Sequence, residues 1–216
     1  MTDKILIETD EILVQAIDAL TLLEPRFVRV IEHTGLPKLR SRPDGFKTLL
    51  QAIISQQVSV AAANAIWSRL DVENLTDPNK ILKTTEDRLK KAGLSRQKIR
   101  YSKALAAANL DYVDLRQKSD DEVINILTEV PGIGVWTAEI YAMFSLKRAD
   151  IFAAGDLALK EGARLLFSFD ERPTEAELRN ISKKWSPWRS VGALLLWNYY
   201  GFKKIGKALY DTCIKI

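Results

Sequence analysis

Apolar residues recur along most of the chain at the spacing of three to four positions that places them on one face of an α-helix. In the segment that begins at residue 46 they follow the i, i+3, i+4, i+7, i+8 pattern of a single buried stripe, formed by Phe46, Leu49, Leu50, Ile53 and Ile54. We find no segment with the sustained alternation of apolar and polar residues that is typical of a half-buried strand. The pattern therefore predicts an all-α fold.

Capping signals indicate where several helices begin. Two pairs of residues have the spacing of a capping box, in which side chain and backbone satisfy each other's hydrogen bonds: Ser119 with Glu122, and Thr174 with Glu177. Ser59 is placed to cap a helix after a break at 55–58. Ser186, with Pro187 at the first helical position, predicts the start of the last long helix. Together with the apolar spacing, these signals predict roughly nine or ten helices.

The composition is that of a folded globular protein. Of the 216 residues, 47% are hydrophobic and 28% are charged, which is close to the average for soluble domains and excludes a disordered or fibrous chain. No apolar run approaches the roughly 18 residues that a membrane helix needs, and the first residues are too acidic for a signal peptide. We therefore expect a cytoplasmic protein that does not bind membranes.

Cysteine and histidine are nearly absent. Cys213 is the only cysteine, which excludes an internal disulfide framework, a zinc site built from thiolates and an iron–sulfur cluster held by four cysteines. His33 is the only histidine, so the chain lacks the several histidines of a histidine metal site, and a Ser-His-Asp triad could use only this residue. Any catalysis must therefore depend on carboxylates. The net charge of +4 is compatible with a polyanionic partner but is found in many proteins that bind none.

The segment Pro131-Gly132-Ile133-Gly134 lies between two predicted helices and is long enough only for a tight reversal. Its glycines can adopt positive φ angles, Pro131 ends the incoming helix, and Ile133 can point into the core. The first backbone N–H groups of the next helix are then unpaired and point outward, which makes a site for a DNA phosphate. The alternative is a simple turn between two packed helices.

Four segments that follow one another in order resemble the alkylpurine DNA glycosylases of the 3-methyladenine DNA glycosylase II (AlkA-type) group, within the helix-hairpin-helix (HhH-GPD) superfamily: residues 46–70, 127–144, 150–159 and 185–197. The resemblance implies the HhH-GPD glycosylase fold, with two helical lobes and a DNA-binding cleft between them. The whole chain, 1–216, is then one glycosylase unit. We expect one lobe at about 42–155, which includes the hairpin at 131–134, and a second lobe formed by 1–41 together with 156–216.

In that group a single aspartate faces the flipped nucleotide, and the resemblance assigns this catalytic role to Asp156. Breaking an N-glycosidic bond builds positive charge on the sugar, so a carboxylate beside it stabilises the transition state and can orient the attacking water. Asp156 also precedes a helical segment, so an N-cap is the alternative, or an additional, role. Many relatives have a proline or a second acid near this aspartate, whereas this chain has Ala153, Ala154 and Gly155, which leaves the shape of the loop open.

The bifunctional glycosylase/lyases of the superfamily carry a lysine nucleophile two residues after the second hairpin glycine, and Trp136 occupies that position here. An indole cannot attack the sugar, so we expect hydrolysis to an abasic site without strand cleavage. Four residues match positions that line the base pocket of the group: Trp136, Ile140, Leu157 and Trp197. Aromatic faces favour cationic or electron-poor alkylated purines. Ile140 and Leu157 stand where some relatives have aromatic residues, which predicts a more open pocket.

The resemblance also implies which residues contact DNA. Gln57, with Val58 beside it, matches the wedge that fills the hole left by the flipped base, and an ordinary solvated loop is the alternative. Around the hairpin, the expected DNA contacts are at Gly132, Gly134, Val135 and Thr137. The group often holds a monovalent or divalent cation there through backbone carbonyls, here those of Thr128, Val130 and Gly132. A second helix entry with basic residues, 93–98, is either a phosphate contact or a solvated helix start.

The sequence therefore predicts a monofunctional glycosylase that excises alkylated purines, such as 3-methyladenine and 7-methylguanine, from double-stranded DNA in base excision repair. We expect a monomer associated with the nucleoid, with no required cofactor and no iron–sulfur cluster. The alternatives are a non-catalytic hairpin module that only binds DNA, a glycosylase for other damaged purines, and a helical scaffold for other proteins.

Overall fold

The computed structural model describes residues 4–205. Within that range it contains thirteen α-helices and one 3₁₀ turn: α1 (Asp10–Leu23), α2 (Arg26–Thr34), α3 (Phe46–Ser55), α4 (Val60–Val72), α5 (Pro78–Lys83), α6 (Glu86–Lys91), α7 (Arg96–Ala107), α8 (Tyr112–Gln117), α9 (Asp120–Thr128), α10 (Val135–Phe144), α11 (Leu157–Phe167), α12 (Glu175–Ser182), the 3₁₀ turn Lys183–Trp185 and α13 (Arg189–Ile205). Apart from an isolated antiparallel bridge between Leu6 and Arg148, these residues form no β-structure. The prediction of an all-α fold is confirmed. None of the described helices is long and apolar enough to cross a membrane.

The chain divides into two compact units. Among the described residues, the first unit comprises 4–41 and 147–205 and contains α1, α2 and α11 to α13, and the second unit comprises residues 42–146 and contains α3 to α10. The division falls before Lys147, whereas the sequence placed it at about residue 155. The segment that starts at Lys147 is bonded to the N-terminal segment, because the Ile7 N–H donates to the Lys147 carbonyl oxygen at 2.8 Å.

The core of the first unit is built around Trp185, which is completely buried. The ring centroids of Phe27, Phe152 and Phe167 lie 5.2, 5.5 and 6.4 Å from that of Trp185. Aromatic clusters of this kind bury a large apolar area, which stabilises the unit. Trp185 therefore has the packing role that most tryptophans have in a core.

Helices α11 and α13 pack closely because α11 carries Gly162 at the point of contact. A Cβ atom at this position would lie 2.6 Å from the carbonyl oxygen of Leu196, which is closer than non-bonded atoms approach. The absence of a side chain thus lets the backbones of the two helices meet. Trp197, the next residue of α13, is thereby brought to the beginning of α11.

In the second unit the apolar stripe of α3 is buried as predicted, and it consists of Phe46, Leu49, Leu50, Ile53 and Ile54. A buried polar group lies just before this helix: the Tyr141 hydroxyl donates to Asp44 and accepts from the Gly45 N–H at 2.9 Å. Arg116 donates to the second oxygen of Asp44 at 2.6 Å. Burial, followed by the hydrogen bond to Asp44, raises the pKa of Tyr141. Burial, followed by the charge of Asp44, raises the pKa of Tyr112 to about 12.

Most of the predicted helix starts are confirmed. Both capping boxes form, at Ser119 with Glu122 and at Thr174 with Glu177. Ser59 caps α4 with its hydroxyl, as expected. The last long helix forms, but the predicted start at Pro187 is wrong, because α13 begins at Arg189. Pro187 lies instead in a turn that is closed by a hydrogen bond of 2.7 Å from the Trp188 N–H to the Trp185 carbonyl oxygen.

Candidate active site and nucleic-acid interface

Asp156 lies at the N-cap position of α11 in the first unit, so its predicted capping role is confirmed. One carboxylate oxygen, Oδ1, accepts hydrogen bonds from the backbone N–H groups of Ala158 at 2.9 Å and Leu159 at 3.0 Å. The same oxygen accepts from the indole N–H of Trp197 at 3.1 Å. Asp156 is half-buried, so it is neither sealed in the core nor fully exposed. Three donors and the positive end of the helix dipole hold this carboxylate in one orientation.

The loop in front of Asp156 is a tight turn. The Asp156 N–H donates to the carbonyl oxygen of Ala153 at 2.9 Å, and both Ala153 and Ala154 are fully buried. Leu157, which follows the aspartate, is 63% exposed and presents its side chain to the surface. Trp197 is half-buried. The first unit therefore brings together Asp156 and two of the residues predicted to line the base pocket.

A cavity of about 510 Å³ in the second unit brings the other two predicted pocket residues together. Its wall includes Trp136, Thr137 and Ile140 from α10. It also includes Gln56 and Val58, from the loop between α3 and α4. Trp136 is 48% exposed, whereas Ile140 is buried in the wall. The volume is within the range of roughly 300–1,000 Å³ that is typical of small-molecule sites.

The hairpin forms the tight reversal that the sequence predicts between α9 and α10. Gly132 has a φ of +97°, and a Cβ atom there would lie 2.4 Å from the ring of Tyr101, so only glycine fits. Ile133 is buried, and its N–H donates to the Val130 carbonyl oxygen at 3.0 Å. Gly134 is the N-cap of α10 and has no side chain to cap the N–H groups that follow. The space around Gly134 is open, since nothing lies within 4 Å of the position of an added Cβ.

The first turn of α10 has the geometry of an anion site. Val135 and Trp136 are exposed there, whereas Thr137 is buried. A contact between Thr137 and DNA would therefore come from its backbone N–H and not from its side chain. The N–H groups of a first turn have no partner within the helix and carry the positive end of the helix dipole. They are suited to a phosphate oxygen.

Gln57 and Val58 lie in the loop between α3 and α4, and both are exposed. Gln57 has a φ of +56°, a conformation that is uncommon for residues other than glycine. No role was predicted for its neighbour Gln56, yet the Gln56 side-chain amide donates to the carbonyl oxygen of Gly132 at 2.9 Å. The only signal in the sequence was the position of Gln56 next to the predicted wedge. The loop is thus tied to the hairpin turn.

The start of α7 contains two basic side chains with different surroundings. Arg96 is exposed, whereas Lys98 is buried. The Lys98 ammonium donates to the carbonyl oxygen of Ile54, near the end of α3, at 2.6 Å. Burial lowers the pKa of Lys98. The Lys98 ammonium therefore satisfies a carbonyl group at the end of α3. Of these two side chains, only Arg96 is exposed and could make the predicted phosphate contact in segment 93–98.

The three carbonyls that were predicted to hold a cation lie at the end of α9 and in the hairpin. The carbonyl oxygen of Val130 accepts from the Ile133 N–H, and that of Gly132 accepts from Gln56. A carbonyl oxygen has a second lone pair, so both can still ligate an ion together with the carbonyl of Thr128. Across residues 4–205, no group of three or more His, Cys, Asp or Glu side chains could hold a metal ion. The cation at the hairpin stays a prediction.

Comparisons with known proteins agree with the resemblance noted in the sequence. The family described as "HhH-GPD superfamily base excision DNA repair protein" matches residues 50–187. The alkylbase DNA glycosidase-like protein mag2 of Schizosaccharomyces pombe is 27% identical over 190 residues, which cover 82% of this chain and 89% of that protein.

Solved structures extend the similarity to nearly the whole chain. The crystal structure of a DNA-3-methyladenine glycosidase from Bacillus halodurans is similar with a TM-score of 0.79 and 29% identity, and the match covers 100% of both chains. A 3-methyladenine DNA glycosylase of Schizosaccharomyces pombe, solved in complex with abasic DNA, matches with a TM-score of 0.72 and 28% identity over 89% of this chain and 98% of that chain. The predicted resemblance and the predicted fold family are confirmed.

Proposed function

The chain belongs to the HhH-GPD superfamily of base excision DNA repair proteins, and we propose that it is a monofunctional DNA glycosylase that excises alkylated purines of the 3-methyladenine and 7-methylguanine type. The names of the similar proteins from Bacillus halodurans and Schizosaccharomyces pombe support 3-methyladenine as a substrate. The observation that carries the proposal is the carboxylate of Asp156, half-buried at the start of α11 and held by three N–H donors.

The chemistry requires a fixed negative charge beside the sugar. In the proposed reaction the bond between C1′ and the purine nitrogen breaks, and its electron pair leaves with the base, so that a cationic alkylated purine departs as the neutral base. A water oxygen then bonds to C1′ and transfers a proton to the solvent. Positive charge builds on the sugar before the water has bonded, so a carboxylate that is already oriented stabilises the transition state without reorganisation. The contacts of Asp156 with Trp197 and with the first turn of α11 supply that orientation.

The cavity of the second unit is the proposed binding site for the base. Trp136 presents an indole face that attracts a cationic alkylated purine by about 1–2 kcal/mol more than an unmodified base. Ile140 contributes an apolar wall without an aromatic face. Trp136 also has no amine that could form a Schiff base with the sugar, which supports hydrolysis without cleavage of the DNA strand.

The proposed partner is double-stranded DNA that contains alkylated bases, bound by a monomer. The open N–H groups at the start of α10 bind a backbone phosphate. A monovalent or divalent cation held by the carbonyls of Thr128, Val130 and Gly132 would place a positive charge beside the same phosphate. Gln57 and Val58 enter the base stack in place of the flipped base, which fits their exposure at the tip of the loop.

The test is the release of bases from alkylated duplex DNA, identified by chromatography, for the wild type and for Asp156→Asn. Asparagine caps a helix as well as aspartate does, so the variant keeps its fold and loses only the negative charge. We expect release to slow by about 10²- to 10³-fold, as when other preorganised electrostatic groups are removed. Asp170→Asn is the matched control, because Asp170 is exposed in the same unit and should be replaceable without effect.

Each part of the proposal can fail separately in this assay. Base release by Asp156→Asn at the wild-type rate would show that this carboxylate is not catalytic. DNA binding by the wild type without any base release would identify a non-catalytic hairpin module. Release of other damaged purines in place of alkylated ones would change the substrate class, and nicked strands would contradict hydrolysis without a lyase step.

A further inference from the structure

Gln56 connects two segments that are far apart in the sequence. Its side-chain amide donates to the Gly132 carbonyl oxygen at 2.9 Å, across a separation of 76 residues. Gln56 lies directly after α3, and the next two residues are the proposed wedge, Gln57 and Val58. Gly132 is part of the turn that leads into the proposed phosphate site. One hydrogen bond thus joins the loop that enters the base stack to the turn that grips the backbone.

The Gly132 end of this hydrogen bond lies in a closely packed turn. Gly132 has a φ of +97°, and a Cβ atom there would be 2.4 Å from the ring of Tyr101. The carbonyl oxygen of this packed turn can serve as an anchor for the Gln56 side chain.

The end of α3, just before the loop, is also held by a hydrogen bond. The ammonium of Lys98 donates to the Ile54 carbonyl oxygen at 2.6 Å, which fixes the last turn of α3 just before the loop. Gln57 itself is held with a φ of +56°, a sparsely populated conformation for glutamine. Such a conformation persists only where the surroundings determine it, and the hydrogen bonds of Lys98 and Gln56 lie directly before this residue.

We infer that Gln56 is a positioning residue for base flipping, which fixes the distance between the wedge loop and the phosphate-binding hairpin through its hydrogen bond to Gly132. The inference rests on the proposed function, because it takes Gln57 and Val58 as the wedge. To trap a flipped base, the wedge must occupy the vacated space while the backbone is held, so a loop that drifts relative to the hairpin traps the base less often. Gln56 thus acts through its neighbours and not on the sugar.

The experiment compares two duplex substrates that carry the same alkylated purine. In one the lesion is opposite its normal partner base, and in the other it is opposite an abasic site, where flipping costs little. Gln56→Met keeps the length of the side chain and removes the donor. We expect base release from the fully paired duplex to slow by about 3- to 10-fold, the effect of losing one part-buried hydrogen bond. Release from the unpaired substrate should slow by less than release from the paired duplex, because flipping there costs little and depends less on the wedge.

Two further variants separate positioning from structural damage. Gln56→Leu is uncharged and cannot donate to Gly132, so it should show the same dependence on pairing. Gln15→Met, on the exposed face of α1, should behave as the wild type on both substrates. Unfolding midpoints of all variants are measured in parallel.

The outcomes are distinct. A loss that is equal on both substrates would overturn the inference, because it would mean a direct contact of Gln56 with the base in the cavity or a damaged fold. No loss on either substrate would overturn it as well. If the wild type releases no base from either substrate, the proposed function fails and the inference fails with it.

Discussion

The two units hold their candidate site residues in different ways. In the first unit Asp156 is oriented mainly by its own helix, through N–H groups two and three residues later, with Trp197 as an added donor. In the second unit the wedge loop depends on distant residues, since Gln56 is bonded to Gly132, 76 residues away, and Lys98 is bonded to the end of α3, 44 residues away. The orientation of Asp156 should therefore depend mainly on the cap of α11 and on Trp197, whereas the loop should be sensitive to the packing of several elements.

The largest effect is expected in the second unit, from Gly132→Ala. Alanine is strained at a φ of +97°, and its Cβ would be 2.4 Å from the ring of Tyr101. We expect the free energy of unfolding, measured by urea denaturation, to fall by about 2–4 kcal/mol, from the backbone strain and the overpacking together. The affinity for duplex DNA should fall too, because the turn carries the anchor of Gln56.

Gly162→Ala is the corresponding change in the first unit. An added Cβ would lie 2.6 Å from the Leu196 carbonyl oxygen, so α11 and α13 must separate. The higher helix propensity of alanine offsets about 1 kcal/mol of the cost of overpacking. We therefore expect the free energy of unfolding to fall by about 1–2 kcal/mol. Base release should slow because Trp197 moves away from Asp156. A greater destabilisation by Gly162→Ala than by Gly132→Ala would contradict this comparison.

The two units should also differ in their response to pH. In the second unit the pKa of Tyr112 is raised from 10.0 to about 12, first by burial and then by the charge of Asp44. The fold therefore favours the neutral phenol, and this stabilisation is complete below pH 10 and is lost as the pH rises from about 10 to 12. In the first unit hydrogen bonds from Arg164 and Arg172 lower the pKa of Glu161 from 4.5 to about 2. That contribution is present above pH 4.5 and is lost as the pH falls towards 2.

The measurement is the free energy of unfolding as a function of pH for the wild type and for one variant of each group. Tyr112→Phe should flatten the alkaline side of the curve by about 1–2 kcal/mol, a value reduced from the full shift because Tyr112 is only half-buried. Glu161→Gln should flatten the acid side alone. If either variant flattened the acid and the alkaline sides of the curve equally, Tyr112 and Glu161 would not be the source of the pH dependence of the free energy of unfolding.

Sequence reasoning succeeded where the signal is local. The apolar stripe of α3, the capping boxes and the N-cap at Asp156 each depend on residues within about one or two turns of helix. The apolar spacing and the capping signals did not predict three of the helices, α2, α5 and α8. Helix α2 follows Pro25, which makes no capping hydrogen bond, and α5 and α8 have six residues each, too few to repeat an apolar pattern.

Contacts between distant segments could not be predicted from the sequence. The pairing of Gln56 with Gly132 depends on how α3 and the hairpin come together in the second unit. The burial of Lys98 against the end of α3 likewise follows from packing, and a lysine near a helix start is usually solvated. Asp156 was found through the resemblance of a whole segment, since an aspartate before a helix has the same local pattern whether it is a cap or a catalyst.

The smallest effect on the fold is expected from Gly134→Ala, and it separates the two interpretations of the hairpin. Gly134 has a φ of −88°, which alanine adopts readily, and an added Cβ would meet nothing within 4 Å. The free energy of unfolding should therefore stay within about 0.5 kcal/mol of the wild type. If the first turn of α10 binds a phosphate, the added methyl group lies where the DNA backbone approaches, and the dissociation constant for duplex DNA, measured by fluorescence anisotropy, should rise about tenfold. Unchanged affinity in a variant that folds normally would mean that the hairpin is only a turn between two packed helices.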